Sequence, residues 1–193
     1  MRLIGITGSL GAGKSTVLGL FARLGAAGWD ADAAVHELYQ PGRAGWRAAR
    51  DRWGEEILAA DGQLDRARLA ARIFPCPAER KRWEAIIHPL VHDHMLATAQ
   101  AAAAPLFCAV PLLYEGGWES WFEAVACVWC PPALQRERLR RRGLAEADIS
   151  ARLAAQLPAD EKLRRADFGL INAGSLDLLA RQCAAIWNRL TQP

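Results

Sequence analysis

Apolar residues fall into two rhythms along this chain. The first is a short unbroken run, Leu3-Ile4-Gly5-Ile6-Thr7, of the kind that fills a strand covered on both faces. From Lys14 the spacing changes, and Val17, Leu20, Phe21 and Leu24 recur at helical intervals until Gly25 stops them. Ala27 to Asp32 is weak in β-branched residues but stands where a second strand belongs, and a helix from Ala33 toward Tyr39 follows, broken by Pro41-Gly42. Residues 43 to 104 read as helical almost throughout. They give a helix from Trp46 to Trp53, an Asp61-Gly62 turn, helices from Arg66 to Phe74 and Ala78 to Ile87, and a long helix opened by Pro89 as a first-turn proline. Leu106 to Val110, Val125 to Cys130 and Phe168 to Ile171 are further strands, and a helix from Ser175 to Leu190 closes the chain. Strands alternating with helices predict an α/β fold with a parallel sheet covered on both faces, interrupted by a helical insert.

The joint between the first strand and the first helix carries the chemistry. Gly8-Ser9-Leu10-Gly11-Ala12-Gly13-Lys14-Ser15 is a complete G-x-x-x-x-G-K-[ST] phosphate loop. Glycines let successive backbone N–H groups turn inward, and the helix that starts at Lys14 presents its unsatisfied amides and positive dipole end to an anion. Gly11, Ala12, Gly13, Lys14, Ser15 and Thr16 are therefore the candidate nucleotide contacts: Lys14 for the outer phosphates, the Ser15 hydroxyl for magnesium, and Thr16 as a cap on the same turn.

Length and charge narrow the alternatives. A chain of 193 residues with 52% hydrophobic content can bury one substantial core with an inserted lobe. A net charge of +3, from 24 basic and 21 acidic residues, is too weak a field to argue for nucleic acid as partner. Met95 to Tyr114 carries no charge, but Gln100, Pro105 and Pro111 interrupt it, and it reads as a helix end and a buried strand rather than a membrane span. Met1-Arg2 runs straight into the first strand with no leader, and five scattered cysteines suggest no disulfide framework, so a cytoplasmic protein is expected. Cys127-Val128-Trp129-Cys130 lies in an apolar run and reads as buried strand cysteines rather than a redox pair.

Outside the loop, Asp30 and Asp32 are two apart, so on an extended segment both carboxylates face one side at the end of the second strand. A magnesium ion and a substrate hydroxyl would offset their repulsion, and Asp32 is the candidate proton acceptor, with a helix N-cap as its plainer role. The cluster Arg136 to Arg142, followed by a helical run from Glu146 to Gln156, has the makings of a basic lid over phosphates, with Arg141 as the candidate contact. His88, His92 and His94 match no metal-binding spacing, and His88 reads as a structural or substrate contact. Trp118 and Trp121, at helical spacing, read as core.

Taken in order, these stretches resemble the dephospho-coenzyme A kinases over nearly the full length. The matching positions are Gly5 to Gly8, Gly11 to Thr16, Asp30-Ala31-Asp32 with His36, Asp61 to Arg66, His88-Pro89 and Pro111-Leu112-Leu113-Tyr114-Glu115. They continue with Arg138, Arg141, Gln156, Lys162, Ala166-Asp167 and Asn172-Ala173-Gly174. The resemblance implies a P-loop three-layer α/β/α fold with a five-stranded parallel sheet. It divides the single unit into a nucleotide-binding core over residues 1–35 and 105–193, a helical substrate-binding insert over about 43–104 and a lid over about 132–160. It implies transfer of the ATP γ-phosphate to the 3′-hydroxyl of dephospho-coenzyme A with Mg2+, by a monomer or weak homo-oligomer. Asp32 would accept the hydroxyl proton, and Lys14 and Arg141 would steady the phosphates. Asn172 and Gly174 would lie near the adenine, while Asp32, His88 and Leu113 would meet the second substrate. Shikimate kinases also pair a phosphate loop with Asp-x-Asp, but the Pro111 to Glu115 motif and the helical insert argue against them. A GTP-hydrolysing switch would need base-reading and Asp-x-x-Gly motifs that the chain lacks.

Overall fold

The carboxyl ends of five parallel strands share one edge of a single sheet in the computed structural model, which describes residues 2–191. In chain order the elements are β1 (Leu3–Thr7), α1 (Lys14–Arg23), β2 (Ala27–Asp30), α2 (Ala31–Leu38), α3 (Ala44–Trp53), α4 (Arg66–Ile73), α5 (Pro77–Ala101), β3 (Leu106–Ala109), β4 (Ala124–Trp129), α6 (Pro132–Arg141), α7 (Glu146–Ala154), α8 (Ala159–Arg165), β5 (Phe168–Ile171) and α9 (Leu176–Thr191). The chain divides into two compact units: Met1–Asp30 with Ala99–Pro193, and Ala31–Thr98.

The first unit holds the whole sheet, in the order β2-β3-β1-β4-β5. β1 is central, pairing with β3 on one side and β4 on the other, and all five of its residues are buried, as its unbroken apolar run requires. One face of the sheet, built from Ile4, Ile6, Phe107, Ala126, Val128 and Leu170, packs against Val17, Leu20 and Phe21 of α1 and Leu179, Cys183 and Ile186 of α9. Phe21 and Phe107 stack there with ring centroids 4.1 Å apart, both fully buried. On the opposite face Leu113 lies directly over Gly5, where a Cβ would stand 2.8 Å from its Cδ1. Helices and loops thus cover both faces, giving the three-layer α/β/α arrangement.

The second unit is all helical. Trp83 of α5 anchors it, donating its indole N–H to the Tyr39 hydroxyl at 3.0 Å and packing 5.0 Å from the Trp53 ring. Asp65 caps α4 by accepting from the Ala67 and Arg68 amides, and the Trp46 indole N–H ties the neighbouring turn through the Gly62 carbonyl at 2.9 Å.

Three local expectations are corrected. β2 ends at Asp30 and α2 begins at once, so Asp32 sits in the first turn of a helix and the two aspartates do not share one face of an extended strand. Ala31, Ala34 and Leu38 are buried at helical spacing, and their burial draws the segment into the helix. Pro89 does not open a helix but lies inside the continuous α5. Trp83, Ile87, Val91 and Met95 form one buried stripe running past it, and this packing outweighs the single backbone hydrogen bond that proline removes. Trp118 is buried as a core residue should be, but the helical spacing is not that of an α-helix: Trp118 and Trp121 stack 4.4 Å apart around a 3-10 turn at Glu119–Trp121.

Phe107→Ala would empty the centre of the stacked pair. It is expected to lower unfolding free energy by about 3–5 kcal/mol in denaturant titrations, and Phe107→Leu by under about 1.5 kcal/mol.

Candidate active site

The phosphate loop leaves β1 at the carboxyl edge of the sheet, between strands that continue to opposite sides, the position where open α/β sheets form their ligand crevice. Its backbone demands glycine at Gly8 and Gly13, as well as at Gly11 with φ +81°. Gly8 has φ +142°, and a Cβ there would collide with the Val128 carbonyl oxygen of β4. Gly13, the N-cap of α1, has φ +107°, and a Cβ there would occupy the place of the Asn172 amide. α1 therefore begins with no side-chain cap and no acidic residue in its first turn, which leaves its positive end open to an anion. Thr16, expected to cap this turn, is exposed and does not cap it. The Lys14 ammonium lies across the loop, donating to the Gly8 carbonyl at 2.7 Å and the Ser9 carbonyl at 3.2 Å. Exposed Ser15 follows on the first turn of α1.

Side chains from distant segments close on the same loop. The Asn172 amide, just past β5, donates to the Ala12 carbonyl at 2.7 Å. Arg138 of α6 donates to the Asn172 carbonyl at 3.0 Å and lies 3.4 Å from the Ala12 carbonyl. Arg138, half-buried, is thus the residue of the basic cluster that meets the loop. Arg141 points elsewhere: its side chain is 78% exposed and pairs with Glu137 one turn back on α6 at 2.5 Å. The lid cluster could not be resolved by spacing alone, because only helix phase decides which of the neighbouring arginines faces inward. Past Asn172, Ala173 and Gly174 are exposed, flanked by exposed Ile171, Leu176 and Leu178, an apolar rim suited to a flat ring.

Leu113, expected at the second substrate, is a core residue with no exposed surface, while its neighbour Leu112 is half exposed. The surprise in this segment is Lys162 of α8. It is completely buried, with its ammonium 2.7 Å from the Glu115 carboxylate and 2.8 Å from the Pro111 carbonyl. A lone lysine on a short, charged helix carries no sequence signal for burial, although its place in the resemblance was a hint.

In the helical unit, Asp32 is exposed in the first turn of α2, where a carboxylate complements the dipole. His88 lies near the middle of α5, half-buried, and burial holds its pKa below the usual histidine value against the opposing pull of Glu84. It is therefore neutral at pH 7.

A parallel sheet with a phosphate loop at its switch point, a basic helical hairpin beside it and a separate helical unit define the P-loop kinase class. The dephospho-CoA kinase (CoaE) family model matches residues 2–177. The dephospho-CoA kinase of Anaeromyxobacter dehalogenans is 49% identical over 93% of this chain and 88% of its own, and that of Methylococcus capsulatus is 41% identical over 98% and 96%. The crystal structure of TT1252 from Thermus thermophilus superposes with a TM-score of 0.85 at 35% identity, covering 98% of both chains. The chain belongs to the dephospho-CoA kinase family.

The cysteines stand apart from this chemistry. Cys127 and Cys130 are both buried, on and just past β4, and neither is in a disulfide. Burial pushes the Cys127 thiol up to about 11, against the pull of Lys162 and Lys14, and raises Cys130 and Cys183 as well. Cys76 alone among the five is exposed. At pH 8 an aromatic disulfide reagent is expected to find one fast thiol in the native protein and five in denaturant; a second fast thiol would show that the β4 pair is accessible.

Proposed function

We propose that this chain transfers the γ-phosphate of ATP to the 3′-hydroxyl of dephospho-coenzyme A, giving coenzyme A and ADP, the final step of coenzyme A synthesis. The observation that carries the reading is an uncapped α1 N-terminus behind a complete phosphate loop, in a chain that belongs to this family. The transferred group has little covalent chemistry to be helped with, so positioning and charge neutralisation supply most of the rate. The amides from Gly11 to Thr16 take the β- and γ-phosphates, and Lys14 exchanges its loop carbonyls for phosphate oxygens. Asn172 and Gly174 border the adenine. Arg138 holds that border to the loop, and Arg141, whose exposed pair with Glu137 is easily exchanged, meets phosphate from the lid.

Ser15 supplies a hydroxyl oxygen beside the phosphate site, the donor type that a hard divalent cation accepts, and Mg2+ held there with the phosphates neutralises developing charge when bound. Asp32, in the turn directly after β2, accepts the proton of the attacking hydroxyl. The helical insert, with neutral His88, takes the second substrate, and residues 132–160 act as the lid. Among the described residues no helix is long and apolar enough to cross a membrane. With five free thiols the protein suits the reducing cytoplasm, acting on small molecules rather than nucleic acid, as a monomer or weak homo-oligomer. Family membership disfavours a shikimate-type acceptor.

With magnesium and ATP, the purified protein is expected to phosphorylate dephospho-coenzyme A far faster than shikimate, gluconate or a nucleoside monophosphate; absence of coenzyme A from that panel by chromatography would reject the substrate. Asp32→Asn is expected to cut kcat by at least about 100-fold while calorimetric ATP affinity stays within about twofold. Near-normal turnover in this variant would leave Asp32 only its helix-terminal role.

A further inference from the structure

Leu10, in the middle of the phosphate loop, has both polar groups of its backbone held by glutamines from outside. Its N–H donates to Gln156 Oε1 at 3.1 Å, and its carbonyl accepts from Gln135 Nε2 at 2.6 Å. Gln135 is buried on α6, and Gln156 lies in the connector between α7 and α8. The two bonds have opposite polarity, so together they fix which way the backbone at Leu10 faces. A carbonyl held outward cannot turn its negative end toward a phosphate, and the inward-facing amides of its neighbours are left undisturbed.

The connector is itself anchored by an ion pair whose lysine is buried. The Leu157 amide donates to Glu115 Oε1 at 2.8 Å, and the same oxygen meets the Lys162 ammonium at 2.7 Å. A lysine with no solvent exposure must keep its carboxylate partner, because an unpaired buried charge is far costlier than the pair. Lys162 therefore fixes Glu115, Glu115 fixes Leu157, and Leu157 sets the reach of the adjacent Gln156.

We propose that Gln135 and Gln156 are positioning residues for the phosphate loop, and that the Glu115–Lys162 pair holds Gln156 in place. The proposal rests on the reading that Gly8 to Thr16 binds the nucleotide's phosphates, and it adds the residues that shape the loop without touching the nucleotide. Loss of either glutamine should therefore weaken phosphate binding and spare both the nucleoside and the acceptor.

The test is calorimetry with Mg-ADP and with adenosine on the wild-type chain, Gln156→Leu, Gln135→Leu and the double variant Glu115→Gln/Lys162→Met, with steady-state kinetics and melting curves on each. Each glutamine variant is expected to bind Mg-ADP about five- to tenfold more weakly, the scale of one hydrogen bond, with adenosine affinity within about twofold. KM for ATP should rise in parallel, while KM for dephospho-coenzyme A stays put. The double variant removes the buried ammonium and its partner carboxylate at once and keeps an acceptor for Leu157. It should melt within a few degrees of wild type and share the Mg-ADP defect. Unchanged Mg-ADP affinity in any variant that still melts cooperatively, or equal losses for Mg-ADP and adenosine, would overturn the proposal. Wild-type protein that binds Mg-ADP no tighter than adenosine would instead overturn the phosphate-loop reading beneath it.

Discussion

The structure of the sheet-bearing unit turns on one helix end that no side chain caps. α1 starts with no side-chain cap and no acidic residue in its first turn, an arrangement that ordinary helices avoid by capping. To hold it open, the chain must enter the helix through backbone angles that only glycine adopts readily, at Gly8 and Gly13, with no room for a side chain at either. The fully buried β1, clamped between β3 and β4, supplies the rigid base from which the loop departs.

A loop rich in glycine has little stiffness of its own, and the surrounding polar network supplies it. Ala12 is held from β5 and α6 through Asn172 and Arg138; Leu10 is held by Gln135 and Gln156. These partners lie up to 160 residues away in sequence, so the loop takes its shape only when the sheet and its flanking helices have assembled. The Glu115–Lys162 pair, whose ammonium is sealed from water, belongs to the same scheme. Buried ion pairs add little net stability, but breaking one is costly, and that asymmetry suits a residue whose task is to keep neighbours in register.

Much of the fold was legible before any coordinates. β1 and β5 were bounded to the residue and β3 and β4 to within one, and for β1, β3 and β4 the reason is that strands buried on both faces write themselves as short apolar runs. The phosphate loop was equally plain, since its requirements are local: glycines, a lysine and a hydroxyl at set spacing. Where two local signals competed, packing decided. Alanines at 31 and 34 gave no strand signal against helix, and the buried face of α2 pulled Asp32 into a helical turn. Pro89 looked like a helix start, yet the apolar stripe from Trp83 to Met95 carried α5 straight through it.

The site divides along the same line. Backbone geometry within a few residues is encoded where it occurs, so the loop, its lysine and its hydroxyl could be named from the chain alone, and with them a family resemblance. Which arginine of the α6 cluster faces inward, that Leu113 belongs to the core and that Lys162 is sealed from water depend on helix phase and on neighbours far along the chain. Those facts exist only once distant segments meet, because burial and hydrogen bonding are properties of an assembled surface rather than of any stretch of residues.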